Sequence, residues 1–184
     1  RTQEQYDNGP RRPSSLSWGE SLEADLSRRD FTINVLGLKI DQKTLQAAAD
    51  VAEANQVPIG GIALHENSYE IIDLHDGLHD LTTKIVRTVG DPQARFSEDA
   101  LRMLRAVRLS VQLDFGIESE TLAAITPLAK LLSHISAERI RGEFVKMLIS
   151  DSPKRAIELL DETGLLAEFL PELILCKGVR QSGH

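Results

Sequence analysis

Arginine recurs at every third position in one short segment, and this spacing constrains the fold more than any other feature. Asp99, Arg102, Arg105 and Arg108 are separated by three residues each. On an α-helix, with about 3.6 residues per turn, such positions form one continuous stripe. The apolar residues that fall on the opposite side and can face a core are Met103, Leu104, Val107 and Val111. The segment therefore predicts an amphipathic helix that packs on a core and carries positive charge along its other face.

The sequence after Pro92 predicts helices throughout. Ser97 is an expected N-cap, and it is followed by two carboxylates that suit the positive end of a helix dipole. Ser152-Pro153 is a second start signal and Gly164 is a stop signal. The predicted helices run from Ser97 to about Leu113, from Ser119 to Leu132, from Ser136 to about Ile149 and from Pro153 to Gly164, with a last turn from Leu165 to Phe169.

The sequence before this region predicts a mixture of strands and helices. Runs of β-branched and apolar residues favour strands, whereas strong helix formers before Pro58 favour a helix. The expected elements are a short helix within Ser21 to Arg29, strands at Thr32 to Ile40, Tyr69 to Leu74 and Ile85 to Val89, a helix from Lys43 to Asn55, and turns at Gly60-Gly61 and Asp76-Gly77. The chain is thus predicted to be α+β and mostly α, with a boundary near residue 91.

Composition limits the partners. The net charge is −7 and aromatic residues make up 4%, which argues against RNA binding over the whole surface and against a surface rich in base-stacking side chains. The single cysteine, Cys176, cannot form an internal disulfide and is expected to be a small buried hydrophobe. No apolar run approaches the ~20 residues that a membrane span needs. We therefore expect a cytoplasmic protein without a membrane partner.

The arginine stripe has two interpretations. It can be a solvated face on which Asp99 pairs with Arg102, a contact worth about a few tenths of a kcal/mol. It can also be a recognition surface, because an ionised aspartate only accepts hydrogen bonds and an arginine only donates them. Together they complement an exocyclic amine beside a ring-nitrogen acceptor, a pattern that cytosine and adenine have and that uracil and guanine lack. Arginines further along the stripe can hold triphosphate oxygens in bidentate pairs.

Two further clusters also allow alternatives. Arg28-Arg29-Asp30 precedes an apolar run, and it can be a charged turn or a polar rim at a strand end. In the second case Asp30 would accept hydrogen bonds from ribose hydroxyls and Arg29 would contact phosphate. His75 and His79 stand among acidic residues, but they lack a third organised ligand, so no metal site is predicted in this chain.

Four segments resemble, in the same order, the motifs of class II tRNA nucleotidyltransferases and bacterial poly(A) polymerases. They are RRDFTIN at 28–34, DLHDGLHDL at 73–81, EDALRMLRAVR at 98–108 and ISAERIRGE at 135–143. The resemblance implies the end of a nucleotidyltransferase-type α/β head in residues 1–90, followed by a helical neck and body in residues 91–184. CCA-, CC- and A-adding enzymes and poly(A) polymerases share these motifs, so the choice among them stays open.

The resemblance also implies roles for individual residues. In this family the positions of Asp99 and Arg102 form an amino-acid template for the base of an incoming CTP or ATP. The implied nucleotide-binding residues are Arg29, Asp30, Asp99, Arg102, Arg105 and Arg108, and the implied neck or hinge residues are Asp73, Gly77 and Asp80. The implied reaction is attack of the 3′-hydroxyl of tRNA or another RNA on the α-phosphate, assisted by two Mg²⁺ ions.

The chain departs from the family pattern in two respects. No Asp-x-Asp pair occurs in its 184 residues, so we expect the metal-binding carboxylates before Arg1 and a chain that is inactive alone. Residues at about 41–70 are an expected insertion. The segment that ends at His184 looks like the lead-in to an HD phosphohydrolase domain in longer relatives. The alternative to an enzyme is a non-catalytic helical RNA- or protein-binding module that uses the arginine stripe.

Overall fold

The computed structural model describes residues 3–5, 15–17, 21–56 and 68–178. Its first part contains β1 (Gln3–Gln5), β2 (Ser15–Ser17), α1 (Leu22–Leu26), a 3-10 turn (Thr32–Asn34), β3 (Gly37–Ile40), α2 (Gln42–Asn55), β4 (Tyr69–Ile72), α3 (Gly77–Thr83) and β5 (Ile85–Val86). Its second part contains α4 (Pro92–Glu98), α5 (Leu101–Leu113), β6 (Gly116–Ile117), α6 (Ser119–Ala123), α7 (Ile125–Leu128), a 3-10 segment (Ala129–His134), α8 (Ala137–Leu148), α9 (Pro153–Glu162), α10 (Leu165–Phe169) and α11 (Pro171–Ile174). The predicted class, α+β and mostly α, is confirmed.

The strands form three two-stranded sheets. β1 pairs with β2 and β3 pairs with β4, both antiparallel, whereas β5 and β6 are parallel. α2 lies in the connection between β3 and β4, within the stretch expected to be an insertion. β5 precedes α4 and β6 follows α5, so their pairing joins the mixed first part of the chain to the helical second part.

Helix α5 lies at the centre of the larger core. Its side chains Met103, Leu104, Ala106 and Val107 are fully buried, and Val111 is almost so. They pack with apolar residues of α8, α9 and the parallel β5–β6 pair. The predicted core face of this helix is therefore confirmed. Because one face of α5 is fixed by packing, the arginines on its other faces are held at defined positions.

The predicted start of the arginine-bearing helix is wrong. Ser97 lies inside α4, whose N-cap is Asp91, and the carboxylate of Asp91 accepts hydrogen bonds from two backbone N–H groups of the first turn. The helix then breaks at Asp99, where the backbone is extended (φ −150°, ψ 103°), and α5 begins at Leu101. The Asp99 carboxylate accepts a hydrogen bond from the Leu101 N–H at 3.1 Å. Such a local side-chain bond competes with a continuous helix.

The first part of the chain also differs from the sequence prediction. The strand expected over Thr32 to Ile40 begins only at Gly37, because the 3-10 turn comes first. The turn at Asp76-Gly77 continues into α3, a helix that the sequence pattern did not indicate. The strand expected over Ile85 to Val89 is limited to its first two residues, in β5. The turn predicted at Gly60-Gly61 lies outside the described residues.

Apart from the break at Asp99, the helices of the second part follow the predicted extents with one further exception. The helix expected over Ser119 to Leu132 is divided into α6, α7 and a 3-10 segment. Pro127 lies in the middle piece and has no N–H to donate, which prevents a continuous helical ladder. Gly164 follows α9 with a positive φ of 76°, as expected for a residue that stops a helix. None of the helices in the described part of the chain is both long and apolar enough to cross a membrane.

The prediction that Cys176 is buried is wrong. Its side chain is exposed, and the preceding Leu175 is 79% exposed. Both residues follow the short α11 in a turn, at an edge where the described chain has no further element to cover them. A small apolar side chain is buried only where neighbouring elements surround it, and local sequence does not report that.

Candidate functional site

The two charged clusters that the sequence singles out separately are in contact in the structure. The Arg105 guanidinium donates to the Asp30 carboxylate, with Nε 2.6 Å and Nη2 2.5 Å from Oδ2. The Asp30 side chain is only 11% exposed, and its other oxygen accepts hydrogen bonds from the Phe31 N–H at 3.0 Å and the Asn34 amide at 3.3 Å. Helix α5 and the turn that precedes the 3-10 segment therefore share an ion pair whose carboxylate is nearly buried.

Arg102 lies beside this ion pair and contacts both helix α4 and the same turn. Its guanidinium donates to the backbone oxygen of Arg95 at 2.9 Å, to the Glu98 carboxylate at 2.6 Å and to the backbone oxygen of Arg28 at 3.4 Å. The hydrogen bond from Arg102 is the main cause that lowers the pKa of Glu98 below its usual value. The charged side chain is only 17% exposed, so its position is well defined.

Asp99 does not form the i,i+3 pair with Arg102 that a solvated helix face would favour. One carboxylate oxygen of Asp99 accepts the hydrogen bond from Leu101, and the other accepts a hydrogen bond from Arg139 of α8 at 2.7 Å. Because its backbone is extended, Asp99 also lies outside the helical stripe that its spacing suggested. It occupies the break between α4 and α5, with its side chain 32% exposed.

Arg108 contacts the neighbouring helix α8. Its guanidinium donates to Glu143 at 2.5 Å and to Gln112 at 2.6 Å, and its side chain is 14% exposed. Burial opposes ionisation of Glu143, but hydrogen bonds from Lys146 and Arg108 outweigh burial, and the pKa of Glu143 lies below its usual value. The predicted stripe is thus divided: Arg102 and Arg105 contact the turn around Asp30, whereas Asp99 and Arg108 contact α8.

Arg29 is the most exposed of the residues assigned to the nucleotide. Its side chain is 52% exposed, and its guanidinium makes long hydrogen bonds to the Asn34 backbone oxygen at 3.4 Å and to Asp25 at 3.3 Å. Arginine held only by such contacts can rotate toward an anionic ligand at small cost. It lies one residue before the Asp30–Arg105 ion pair, so the pair fixes the backbone from which Arg29 extends.

Asp73 and Gly77, two of the residues predicted to form the neck, stabilise the start of α3 beside the 3-10 turn. The Asp73 carboxylate accepts hydrogen bonds from the N–H groups of Gly77 at 2.8 Å and Leu78 at 2.9 Å. Burial opposes ionisation of Asp73, but these backbone donors outweigh it and place the pKa of Asp73 below its usual value. Gly77 packs so closely on the Thr32 carbonyl group that a side chain there would overlap it. These contacts hold the start of α3 against the 3-10 turn.

Asp80, the third residue predicted to form the neck, lies in α3 and also contacts Thr32. It is 3% exposed, and its carboxylate accepts hydrogen bonds from the Thr32 hydroxyl at 2.5 Å and from Arg87 Nε at 2.9 Å. The hydrogen bond to Asp80 is the main cause that raises the pKa of Arg87. Arg87 also donates to the His75 backbone oxygen at 3.1 Å. Asp80 therefore connects α3, the 3-10 turn and the residue after β5.

Metal ligands are not grouped in the described part of the chain. Within residues 21–56 and 68–178, no three side chains of histidine, cysteine, aspartate or glutamate lie together in a way that could hold a metal ion. Asp80, one of the acidic neighbours of His75 and His79, is engaged with Thr32 and Arg87.

Sequence reasoning missed three residues that hold the candidate site together. Arg139 pairs with Asp99 from 40 residues away, and Glu143 pairs with Arg108 from 35 residues away. Arg95 donates to the Ser27 backbone oxygen at 2.8 Å across 68 residues. Periodicity reports which face of a helix is polar, but it does not report which distant side chain meets that face.

Family models match two segments of the chain. Residues 1–56 match the model described as the poly A polymerase head domain, and residues 114–176 match the model described as a probable RNA and SrmB-binding site of polymerase A. The relatives include the CCA-adding enzyme of Pediococcus pentosaceus, 44% identical over 88% of this chain and 34% of the relative. The CCA-adding enzyme of Enterococcus faecalis is 45% identical over 89% of this chain and 33% of the relative.

Solved structures agree with these matches. The CCA-adding enzyme of Bacillus stearothermophilus in complex with CTP has a TM-score of 0.65 and 38% identity, over 85% of this chain and 33% of that one. The Thermotoga maritima CCA-adding enzyme complexed with tRNA has a TM-score of 0.62 and 25% identity, over 82% of this chain and 31% of that one. The chain belongs to the tRNA nucleotidyltransferase and poly(A) polymerase family. It spans about one third of the length of the curated relatives it matches.

Proposed function

We propose that this chain binds CTP or ATP and selects its base, as part of an enzyme that adds nucleotides to the 3′ end of tRNA or another RNA. The observation that carries the proposal is the contact between the two motif clusters. Arg105 forms an ion pair with the nearly buried carboxylate of Asp30, and Arg102 spans from α4 to the same turn. The proposal is supported because Asp30, Arg102 and Arg105 meet at one junction of α4, α5 and the Arg28–Asp30 turn.

Asp99 and Arg102 supply the chemistry for base selection. An ionised carboxylate has several acceptor positions, and the hydrogen bonds from Leu101 and Arg139 leave room for a base amine. The Arg102 guanidinium has more N–H donors than its described contacts use. An acceptor beside a donor suits cytosine and adenine, whereas uracil and guanine present the reverse pattern to this pair and leave polar groups unpaired.

The other assigned residues suit the ribose and the triphosphate. Arg29 is half exposed and extends from the fixed turn, so it can donate a bidentate pair of hydrogen bonds to phosphate oxygens. Arg105 is 35% exposed and lies beside Asp30. We assign to Asp30 the role of accepting hydrogen bonds from the ribose hydroxyls. Arg108 adds positive charge further along α5, although it also ties α5 to α8 through Glu143.

We propose that the transfer itself also requires residues outside this chain. The reaction proposed is attack of the RNA 3′-hydroxyl on the α-phosphate with release of pyrophosphate, and Mg²⁺ would activate the hydroxyl and stabilise the leaving oxygens. We assign the carboxylates that hold Mg²⁺ to residues outside this chain. We further propose that residues 1–90 complete a catalytic head, that residues 91–184 form the neck and body, and that Asp73, Gly77 and Asp80 set their relative position in a cytoplasmic enzyme.

Calorimetric titration with each of the four ribonucleoside triphosphates tests the selection of the base. The chain should bind CTP, ATP or both at least about tenfold more tightly than UTP and GTP. Asp99→Asn should remove that preference, since an amide can donate as well as accept, and the loss of a charged hydrogen bond weakens binding by about 10- to 100-fold. Asp151→Asn, at an exposed position, is the matched control and should change nothing.

Equal affinity for all four nucleotides in the unaltered chain would contradict the proposal. Binding to RNA or to a protein without any nucleotide preference would instead support the non-catalytic module. Transfer is measured separately, with protein expressed from its full reading frame and tRNA that lacks its 3′ end.

A further inference from the structure

Arg95 connects three parts of the candidate site without belonging to either charged cluster. Its side chain is 20% exposed, and its guanidinium donates in three directions. Nε donates to the Val89 backbone oxygen at 2.9 Å, Nη2 donates to the Ser27 backbone oxygen at 2.8 Å, and Nη1 donates to the Glu98 carboxylate at 3.1 Å. The planar guanidinium holds these three acceptors in a fixed relation, which a lysine ammonium on a flexible stem cannot do.

The acceptors of Arg95 are directly linked to those of Arg102. Ser27 and Arg28 are consecutive, and their backbone oxygens accept from Arg95 and Arg102 respectively. Both guanidiniums also donate to the same Glu98 carboxylate. In addition, the backbone oxygen of Arg95 accepts a hydrogen bond from Arg102 Nη1 at 2.9 Å. A shift of the Arg95 side chain would therefore move both the turn and the contacts that orient Arg102.

We propose that Arg95 is a positioning residue for base selection: it fixes the Arg28–Asp30 turn against the break between α4 and α5, and it orients Arg102 through Glu98. This inference rests on the function proposed above. Arg95 itself does not contact the base. It sets the distance between the turn that carries Asp30 and the helical break that carries Asp99, and that distance decides whether sugar and base can be held at once.

A positioning role and a structural role predict different results. If Arg95 only stabilised the fold, its replacement would lower the folded fraction and reduce the affinity for every nucleotide by the same factor. If it orients Arg102, its replacement reduces the affinity for CTP or ATP and leaves the phosphate-based affinity for UTP and GTP nearly unchanged. The ratio of the affinity for CTP or ATP to the affinity for UTP or GTP therefore distinguishes the two roles. It is measured at a temperature where circular dichroism shows that the unaltered protein and the variant are both folded.

The test compares Arg95→Lys with Arg155→Lys in protein expressed from its full reading frame. Arg155 is 53% exposed and, within the described part of the chain, its ion pairs are with Glu158 and Glu162 of its own helix α9, so the same chemical change there should have no effect. We expect Arg95→Lys to lower the discrimination between CTP or ATP and UTP by about tenfold or more. Unchanged discrimination in the folded variant would overturn the proposal.

A second variant keeps the proposal testable if Arg95→Lys folds poorly. Glu98→Gln preserves the shape of the residue that Arg95 and Arg102 share but removes its charge, so it should reduce the same discrimination. Discrimination equal to that of the unaltered protein would again contradict the role of Arg95. If the unaltered protein itself shows no preference among nucleotides, the proposed function fails first, and that result is distinct from a failure of either variant.

Discussion

Gly77→Ala is expected to destabilise the protein although it adds only one methyl group. A Cβ at Gly77 would overlap the Thr32 backbone oxygen. It would also lie 3.1 Å from the Thr32 carbonyl carbon and 3.2 Å from a methyl group of Leu36. Thr32 cannot easily move away, because its N–H donates to the Arg87 backbone oxygen at 3.0 Å and its hydroxyl donates to the buried Asp80. Forced overpacking of this kind costs about 2–3 kcal/mol.

Gly142→Ala provides the matched control, since the same chemical change is expected to stabilise the protein there. Gly142 is exposed within α8, and a Cβ there would meet nothing within 4 Å. Alanine is favoured over glycine inside a helix by about 0.5–1 kcal/mol. In a chain of this size 1 kcal/mol shifts Tm by about 2–4 °C. Gly77→Ala should therefore lower Tm by about 4–12 °C and Gly142→Ala should raise it by about 1–4 °C, both measured by calorimetry. A Gly77→Ala protein with unchanged Tm would refute the close packing of the neck on Thr32.

Three further predictions concern the ion pairs and the cysteine. The hydrogen bond from Arg102 lowers the pKa of Glu98 in the folded protein. The stabilising contribution of Glu98 is therefore present above the unfolded pKa of 4.5 and is lost as the pH falls through the folded pKa. Glu98→Gln should flatten the acid side of a profile of Tm against pH, and an unaltered profile would contradict this pair. Glu143→Gln leaves Arg108 without its buried partner and should lower the free energy of unfolding in urea by about 2–4 kcal/mol, whereas exposed Glu158→Gln should stay within about 0.5 kcal/mol. Cys176 is exposed, so a thiol reagent should modify the folded protein as fast as the unfolded one; protection in the folded state would mean that the cysteine is covered.

The helical half was predictable because its signals are local. Proline and serine at helix starts, Gly164 after α9 and the apolar spacing of α5 act within a few residues of one another, and the core face and the end of α5 and the extents of α8 and α9 follow from them. The break at Asp99 was missed because the extended backbone there depends on contacts that the spacing does not encode. The carboxylate bonds both to the Leu101 N–H and to Arg139 of another helix.

The site was predictable only in part, for a related reason. The sequence indicates which residues are polar and arginine-rich, and a family resemblance indicates their order. The sequence does not indicate that Asp30 and Arg105 meet across 75 residues. Nor does it indicate that Arg108 contacts Glu143 of α8, away from the turn that Arg102 and Arg105 contact. Such pairs depend on how α5 packs between the first part of the chain and α8. Tertiary packing also decided the exposure of Cys176 and the short extent of β5.

We propose that Asp99 and Arg102 select the base, and nucleotide addition measures that selection directly. Protein from the full reading frame is incubated with tRNA lacking its 3′ end and with each nucleoside triphosphate in turn, and the products are separated by length. We expect addition from CTP, ATP or both and little from UTP or GTP, with the preference lost in Asp99→Asn and in Arg102→Ala but kept in Asp151→Asn. The same preference in all four proteins would show that Asp99 and Arg102 do not select the base.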